Sequence, residues 1–467
     1  MISRPASTVT PMTSVRRRIL SGLGANVYGQ LVTMVVQLAG VPILLHAWGV
    51  QLYGEWLILF AIPAYLSMAD LGFSQSAGND MTARAARGDR SGALAVFQSL
   101  AALIYTIAAA GLLLGGALLW RLPLERWLHF QVLDADALRW VLALLAAEVF
   151  AALPNGVNHA GFRAGGDYAL HVGLTSTTRL LQFSGIWIMA LAGGGPVAAA
   201  AAFFGVRVVA TMALTLLLVR RHRWLRFGFA HARRAELRRL GKPALANMAI
   251  PLAQALNIQG MVLVVGAVLG PSAVVVYSTL RTLTRLALQL VLSVAHAAEP
   301  ELAVAYGADD RSLMRALYVH ALRGGLWLAL SAATGLALFG GFILDVWTQG
   351  KVAMDPALFA WLLGSSVGSV LWYSALIVLK AANSHLRAAS VYVIASAAAV
   401  GLAVVLLQWT GDLADAGMAL LIMDMAMALY TLNAAAPLLQ TRPLANLALA
   451  GNPLPLLNLM KGKTIVR

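Results

Sequence analysis

Long apolar runs follow one another along the whole chain, separated by short polar stretches. A bilayer's hydrocarbon core is about 30 Å thick, so a helix needs about 20 mostly apolar residues to cross it. Twelve runs reach that length, near 19–45, 53–79, 92–120, 137–160, 168–193, 196–219, 243–269, 274–305, 313–344, 356–382, 387–409 and 415–437. Only 11% of the 467 residues are charged, whereas a soluble domain is about a quarter charged. The pattern predicts an all-α integral membrane protein. The runs lack the period-two alternation of a spanning β-barrel. The first run follows Arg16, Arg17 and Arg18 but is too long for the core of a signal peptide, and no small-residue cleavage site closes it. It is expected to remain as the first span.

The 34 Lys and Arg outnumber the 19 Asp and Glu, for a formal net charge of +15. In a soluble chain that balance would suggest nucleic acid. Here the cations alternate from loop to loop. One set of loops holds Arg4, Arg16, Arg17 and Arg18, then Arg84, Arg87 and Arg90, then Arg163, and nine cations between Arg220 and Lys242. The same set continues with Arg311, Arg315, Lys380, Arg387, Arg442, Lys461, Lys463 and Arg467. The opposite set holds Arg121, Arg126, Arg139 and Lys351. Lys and Arg accumulate on the cytoplasmic side of membrane proteins. Both termini are therefore expected in the cytoplasm of a bacterial inner membrane, with membrane lipids against the basic stretch and no nucleic acid as partner. With no cysteine, a disulfide framework, a thiolate metal site and a cysteine nucleophile are excluded. The chain carries no metal-ligand cluster, phosphate-binding lysine loop or nucleophile elbow, so no cofactor, no metal and no enzyme activity are expected.

At an offset of 221 residues, Ala25-Asn26 meets Ala246-Asn247, Thr33 meets Gln254, Gly49 meets Gly270 and Asp89-Arg90-Ser91 meets Asp310-Arg311-Ser312. A small gap is needed between them, since Tyr53 best matches Tyr277. An offset of six spans preserves orientation, so the repeat is parallel and predicts two six-helix bundles. The expected divisions are a tail at 1–18, a bundle at 19–219, a basic linker at 220–242, a bundle at 243–437 and a tail at 438–467.

Polar groups are costly in hydrocarbon, so their placement inside spans is informative. Asn26, Gln30, Thr33 and Gln37 share one face of the first span. Asn247, Gln254 and Asn257 do so in the seventh, and His171, Thr175, Thr178 and Gln182 in the fifth, with Arg179 beside them. In the eighth, Arg281, Arg285, Gln289, Ser293 and His296 form a stripe about 22 Å long at 1.5 Å per residue. Such stripes either bond helix to helix inside a bundle or line a water-filled cavity. The arginine pair favours the cavity, because no acid lies one turn from either residue. Arginine's planar fork also suits phosphate oxygens. Arg207 heads a further face with Thr211 and Thr215, and Arg323 is expected to snorkel to the cytoplasmic surface. Of the intramembrane acids, Asp70 is a candidate for pairing with an arginine or carrying a proton, together with His296 and Glu148. Glu148 and Asp424 are expected chiefly as interhelical salt bridges.

Gly24-Ala25-Asn26, Pro42-Ile43-Leu44-Leu45, Gly49, Tyr53-Gly54-Glu55-Trp56, Tyr65 and Ala69-Asp70-Leu71-Gly72, with Ser76-Ala77-Gly78-Asn79 after them, resemble the start of polysaccharide-biosynthesis flippases. These are the O-antigen (Wzx-type) branch of the multidrug/oligosaccharidyl-lipid/polysaccharide exporter superfamily. The match covers about the first 90 residues. It implies a V-shaped pair of six-helix bundles working by alternating access. It also implies a cavity lined by the first, second, seventh and eighth spans, and a polyprenyl-diphosphate-linked oligosaccharide (undecaprenyl diphosphate) as cargo. A polysaccharide polymerase and chain-length proteins would be partners of a monomeric flippase. The cavity residues expected to meet cargo are Arg281, Arg285, Gln289, Arg179, Arg207, Asn26, Gln30, Gln37, Asn247, Gln254 and Asn257. A multidrug cation antiporter of the same superfamily would need an acid-rich cavity. A major-facilitator transporter would show an acidic-basic loop in 79–92, which is not clear here. A polyprenyl-linked glycosyltransferase would carry a large outer loop with catalytic acids, whereas the longest outer loop, 121–140, has only scattered Glu125, Asp134 and Asp136.

Overall fold

The computed structural model describes residues 12–66, 70, 72–121, 130–297 and 299–453, with side chains described for all but 12–19, 246, 287, 290–297, 300 and 444. Every regular element among them is helical. In chain order these are α1 (Met12–Ala64), α2 (Phe73–Ala86), α3 (Arg90–Arg121), α4 (Ala135–Ala152), α5 (Pro154–Ala164), α6 (Tyr168–Leu191) and α7 (Pro196–Arg221). Then come α8 (Arg234–Ala255), a π-turn (Leu256–Gly260), α9 (Met261–Leu269), α10 (Pro271–Ala297), α11 (Glu299–Gly307) and α12 (Arg311–Thr348). The last four are α13 (Pro356–Ala381), α14 (Leu386–Thr410), α15 (Ala414–Leu439) and α16 (Pro443–Gly451).

Nine helices among the described residues are long and apolar enough to cross a membrane. The twelve expected runs differ from these nine for physical reasons. The first run and the start of the second lie in the single helix α1, interrupted only at Gly49. The fifth and eighth runs are full-length helices, α6 and α10, whose polar stripes lower their apolarity. The fourth run breaks where Pro154 starts α5, because proline donates no N–H to the preceding turn. The chain is thus an all-α, multi-pass membrane protein. Large apolar side chains such as Leu113, Phe342 and Trp409 lie on its outside, as expected of surfaces that face lipid rather than water.

The repeat is visible in the backbone. Gly49 (φ 73°, ψ 177°) and Gly270 (φ 87°, ψ 178°) turn the same corner, a conformation that a residue with a Cβ avoids. The turn after α2 returns after α11. Asp89 N bonds Arg84 O, Arg90 N bonds Gly88 O and Ala93 N bonds Asp89 O, while Asp310 N bonds Ala305 O, Arg311 N bonds Asp309 O and Met314 N bonds Asp310 O. In each copy the aspartate accepts from a serine hydroxyl two residues on and a backbone N–H three residues on. These bonds to the ionised form hold the Asp89 and Asp310 carboxyls below the usual range.

The chain packs as two compact units, Met1–Ile43 with Ala69–Leu122 and Asp136–Leu245, and Leu44–Met68 with Pro123–Ala135 and Ala246–Arg467. The bundles expected at 19–219 and 243–437 follow chain order. These units follow proximity, so 44–68 and 123–135 group with the second. The core of the first unit includes Met81, Phe97, Leu100, Ile104 and Phe162. That of the second includes Tyr318, Leu322, Trp372, Leu376 and Met427. Within the second core, Gly364, Gly368 and Gly417 let α13 and α15 approach closely; a Cβ on Gly368 would lie 2.3 Å from Met425 Cε.

The basic stretch 220–242 docks on the first unit through its backbone: Gln98 Nε2 donates to Arg226 O (3.0 Å), His231 N to Gln98 Oε1 (2.7 Å) and Arg233 N to Ser99 Oγ (2.8 Å). Arg239 and Arg84 there share Asp80 and Glu236 in an ion network. Arg323 does not snorkel. It is 7% exposed and donates through Nη2 to Leu449 O at 2.7 Å, which fixes α16 against α12. A buried guanidinium aimed at the bare carbonyls of a helix end is satisfied without water.

The Tyr53-Gly54-Glu55-Trp56 motif is buried in the second unit. Glu55 is fully buried, and its carboxylate accepts from the backbone N–H of Gln131 (2.7 Å), Val132 (3.0 Å) and Leu133 (3.0 Å). The motif thus positions a loop. Glu55→Gln places an amide donor against one of these N–H groups. It is expected to cost about 1–3 kcal/mol and to speed proteolytic cutting within 130–135. An unchanged cutting rate would refute the clasp.

Candidate functional site

The second unit contains a polar cleft built from six elements. The π-turn Leu256–Gly260 interrupts the helical ladder, since its i→i+5 pattern leaves one carbonyl out of register. Arg281, on α10, reaches a carbonyl of this turn: its Nη1 donates to Asn257 O at 2.9 Å. Arg281 also contacts the Tyr277 hydroxyl and Asn257 Oδ1, and its guanidinium lies 5.5 Å from the Tyr277 ring centroid. Asn257 Nδ2 in turn faces Met423 Sδ at 3.1 Å. Among the described residues, the groups that hydrogen-bond this buried cation are neutral. Arg285 and Gln289 follow at one-turn steps and line the same cleft, as do Gln254 and Asn257. Gln254 Nε2 reaches the Tyr373 hydroxyl at 3.4 Å.

The facing wall was not anticipated. Ser365, Ser366, Ser369, Trp372 and Tyr373 come from α13, Tyr392 from α14 and Asp424 from α15. Asp424 is 2% exposed. It accepts from Ser369 Oγ (2.9 Å), Trp372 Nε1 (2.7 Å) and Ser365 Oγ. The salt bridge expected for Asp424 is not formed, as no cation lies within 4 Å of it among the described residues; three neutral donors take that place. A serine–serine–tyrosine series at steps of four, Ser365, Ser369 and Tyr373, was the available signal for this wall. The cleft encloses about 660 Å³, part of it open to solvent. Its polar lining, aromatic rings and two arginines against one occupied carboxylate suit a hydroxyl-rich anion.

The first unit holds a second polar pocket. Asn26, Gln30 and Thr33 from α1 face Thr175, Ser176 and Arg179 from α6. Arg179 Nη1 donates to Thr33 Oγ1 (3.0 Å), and the Tyr168 hydroxyl to Asn26 Oδ1 (3.4 Å). The fifth-span stripe therefore divides. Thr175 and Arg179 face this pocket, while His171, Thr178 and Gln182 are buried in the unit. Gln182 Nε2 (2.9 Å) and Arg207 Nε (2.7 Å) both donate to Glu148 Oε1. The expected salt bridge of Glu148 is present, with Arg207, so these two residues answer each other inside the unit. Gln37 is not among the pocket's lining residues, and its Oε1 is buried without a partner among the described residues. Asp70 Oδ1 accepts from Gly72 N at 3.0 Å, at the start of α2. Asn247 is exposed and away from the cleft lining. The His296 side chain, Ala69, Leu71 and most of the tails lie outside the described residues.

No family model and no curated protein matches this chain. Solved structures do. A multidrug resistance MATE family transporter of the MOP superfamily, in an inward-facing conformation, superposes with a TM-score of 0.65 at 16% identity, over 88% of this chain and 95% of that one. The lipid II flippase MurJ, inward closed, gives 0.65 at 12% identity, over 96% and 93%. A MOP superfamily transporter from Pyrococcus furiosus Vc1 (DSM3638), described by the reverse polarity of its binding pocket, gives 0.53 at 17% identity, over 91% and 94%. At these identities the likeness carries the fold. The chain has the MOP exporter fold, in which about twelve spanning helices form two six-helix repeats in parallel order.

Proposed function

We propose that this chain is a flippase that moves a polyprenyl-diphosphate-linked oligosaccharide across the bacterial cytoplasmic membrane for surface polysaccharide biosynthesis. The observation that carries the reading is the second unit's cleft, where Arg281 and Arg285 stand among amide, hydroxyl and aromatic side chains and the one acid is held by neutral donors. The two bundles, 19–219 and 243–437, alternate access, with both termini in the cytoplasm. Arg285 engages the diphosphate beside Arg281. Gln254, Asn257 and Gln289, with Asn26, Gln30 and Arg179 of the first unit, meet sugar hydroxyls. Gln37 and Asn247 belong to the same polar faces further along, and Arg207 acts by holding Glu148. Asp70 and His296 are the candidates for coupling to an ion gradient. The flippase reading makes no use of catalysis, and a polymerase would take the flipped cargo. The test is export of surface polysaccharide in cells carrying Arg281→Ala with Arg285→Ala at equal protein level. Loss of export is expected, and normal export would overturn the reading.

Asp424 supports a second reading, multidrug cation export as named for the MATE neighbour. The two part on Asp424→Asn. For an anion site this variant removes a negative charge, and affinity for inorganic diphosphate in nanodiscs is expected to hold or rise. A loss of about tenfold, 1.4 kcal/mol, in affinity for an organic cation in the same variant would favour the cation site.

A further inference from the structure

A groove of the second unit lies where α13 ends, α14 begins and the last turns of α15 pass them. It holds about 480 Å³ of free space, within the roughly 300–1,000 Å³ of ligand pockets. It shares no lining residue with the polar cleft. Ala388 on α14 and Ala434 on α15 leave this space, since neither side chain extends past Cβ. Leu379 and Leu386 complete an apolar wall, and Leu386 is exposed. Polar groups in the lining are few. Ser384 Oγ donates to Leu379 O at 3.3 Å and is occupied. Arg387, in the first turn of α14, is exposed, and its guanidinium has no hydrogen bond or ion pair among the described residues. The Tyr430 hydroxyl is likewise without a hydrogen-bond partner among them. No acid is among the described lining residues.

The level of the groove along the helices narrows its occupant. It sits at helix ends, the level of the membrane–water interface, where tyrosine is enriched. Arg387 and Lys380 belong to the cation-rich loops expected on the cytoplasmic side, whose leaflet carries anionic lipid. Lys380 Nζ already faces Glu299 Oε2 at 3.9 Å, whereas Arg387 remains available. A saccharide would need amide and hydroxyl partners that this wall lacks. A phosphodiester needs only a planar cation and a hydroxyl donor, and an acyl chain needs only carbon. We propose that the groove binds an anionic glycerophospholipid of the cytoplasmic leaflet. Its phosphate meets Arg387 and the Tyr430 hydroxyl, and its acyl chain lies over Ala388 and Ala434, which bridges α14 to α15. The site is independent of the flippase reading and of what the polar cleft carries.

The test uses the full-length protein in a neutral maltoside detergent, titrated with dioctanoyl phosphatidylglycerol. Melting temperature and native mass spectrometry are the readouts. The lipid is expected to raise the melting temperature and to stay bound as an adduct. Its affinity should exceed that of dioctanoyl phosphatidylcholine by about tenfold or more, the scale of one charge-assisted contact. Arg387→Gln should fold, because the exposed guanidinium bonds nothing, and should lower phosphatidylglycerol affinity about tenfold. Ala434→Leu should lower it by filling the groove. Arg238→Gln removes an exposed cation of the first unit and should leave it unchanged. Wild-type affinity in Arg387→Gln, or equal losses in Arg387→Gln and Arg238→Gln, would overturn the site. Equal affinity for the two lipids would overturn the choice of an anionic occupant. If inorganic phosphate alone gave the same shift and displaced the lipid, the apolar wall would contribute nothing and the inference would fail. Arg281 and Arg285 are intact in every variant, so each of these results leaves the flippase reading to its own test.

Discussion

Gly54→Ala is expected to remove most folded protein, although the change is a single methyl group. A Cβ at this position would sit 2.2 Å from Pro271 O and 2.5 Å from Pro271 C. Both are backbone atoms with no flexible side chain to yield. The contact sets the crossing of α1 beyond Gly49 with the first turn of α10, where Ser272 Oγ donates to Gln51 Oε1 at 2.9 Å. Pro271 cannot retreat freely, since it follows Gly270, whose φ is 87°. Overpacking commonly costs 1–3 kcal/mol, and backbone contact places this case at about 3 kcal/mol or more. The measurement is the yield of monodisperse protein and its melting temperature. Gly116→Ala on α3 is the control, because no atom outside its local helix lies within 4 Å of the added carbon. It should be neutral or stabilising, as alanine is the better helix former by about 1 kcal/mol. A Gly54→Ala protein that melts with the wild type would show that the two helices do not cross as described.

The two cleft arginines are expected to fail in different ways. Arg281→Ala should destabilise the second unit. It strips the donor from Asn257 O, Asn257 Oδ1 and the Tyr277 hydroxyl, and each buried group left bare costs about 1–3 kcal/mol. Arg281→Lys should recover only part of this, because a point charge cannot span three acceptors as a planar fork does. Arg285→Ala should fold and lose cargo: one charge-assisted contact to phosphate is worth about 1.5–3 kcal/mol, or roughly ten- to a hundredfold in affinity. The pair of measurements is melting temperature and inorganic diphosphate affinity in nanodiscs. Equal loss of stability in both variants would deny the division between a cation that braces the π-turn and one that meets the cargo.

Much of this fold was legible because the membrane makes sequence simple. Apolar length gives spans, and cation placement gives the expected orientation. The repeat was legible at Gly49 and Gly270, where one unusual backbone angle demands one residue type in both halves. The boundaries blurred where a second demand was laid on the helix: α6 and α10 carry polar stripes, and α1 runs through a corner. In the site, helical periodicity found Arg281, Arg285, Gln289, Gln254 and Asn257, which do share a cleft. It found α1 and α6 separately but could not show that Arg179 bonds Thr33 while its neighbour Gln182 faces Glu148. It also could not show that Arg281 is claimed by a π-turn, because that turn leaves no mark in composition. Asp424 was misread for a similar reason. Its partners are serines and an indole on α13, and pairing by charge alone passes over neutral donors.

The central claim is that the cleft accepts a diphosphate-linked saccharide, and transport by purified protein tests it most directly. Proteoliposomes would carry fluorescent undecaprenyl-diphosphate oligosaccharide in both leaflets, with a membrane-impermeant quencher added outside. The account predicts that wild-type protein lets the quencher reach the inner pool, and that Arg285→Ala does so at no more than about a tenth of the rate. Protection of the inner pool by wild-type protein, in vesicles where the same protein moves an organic cation, would contradict it.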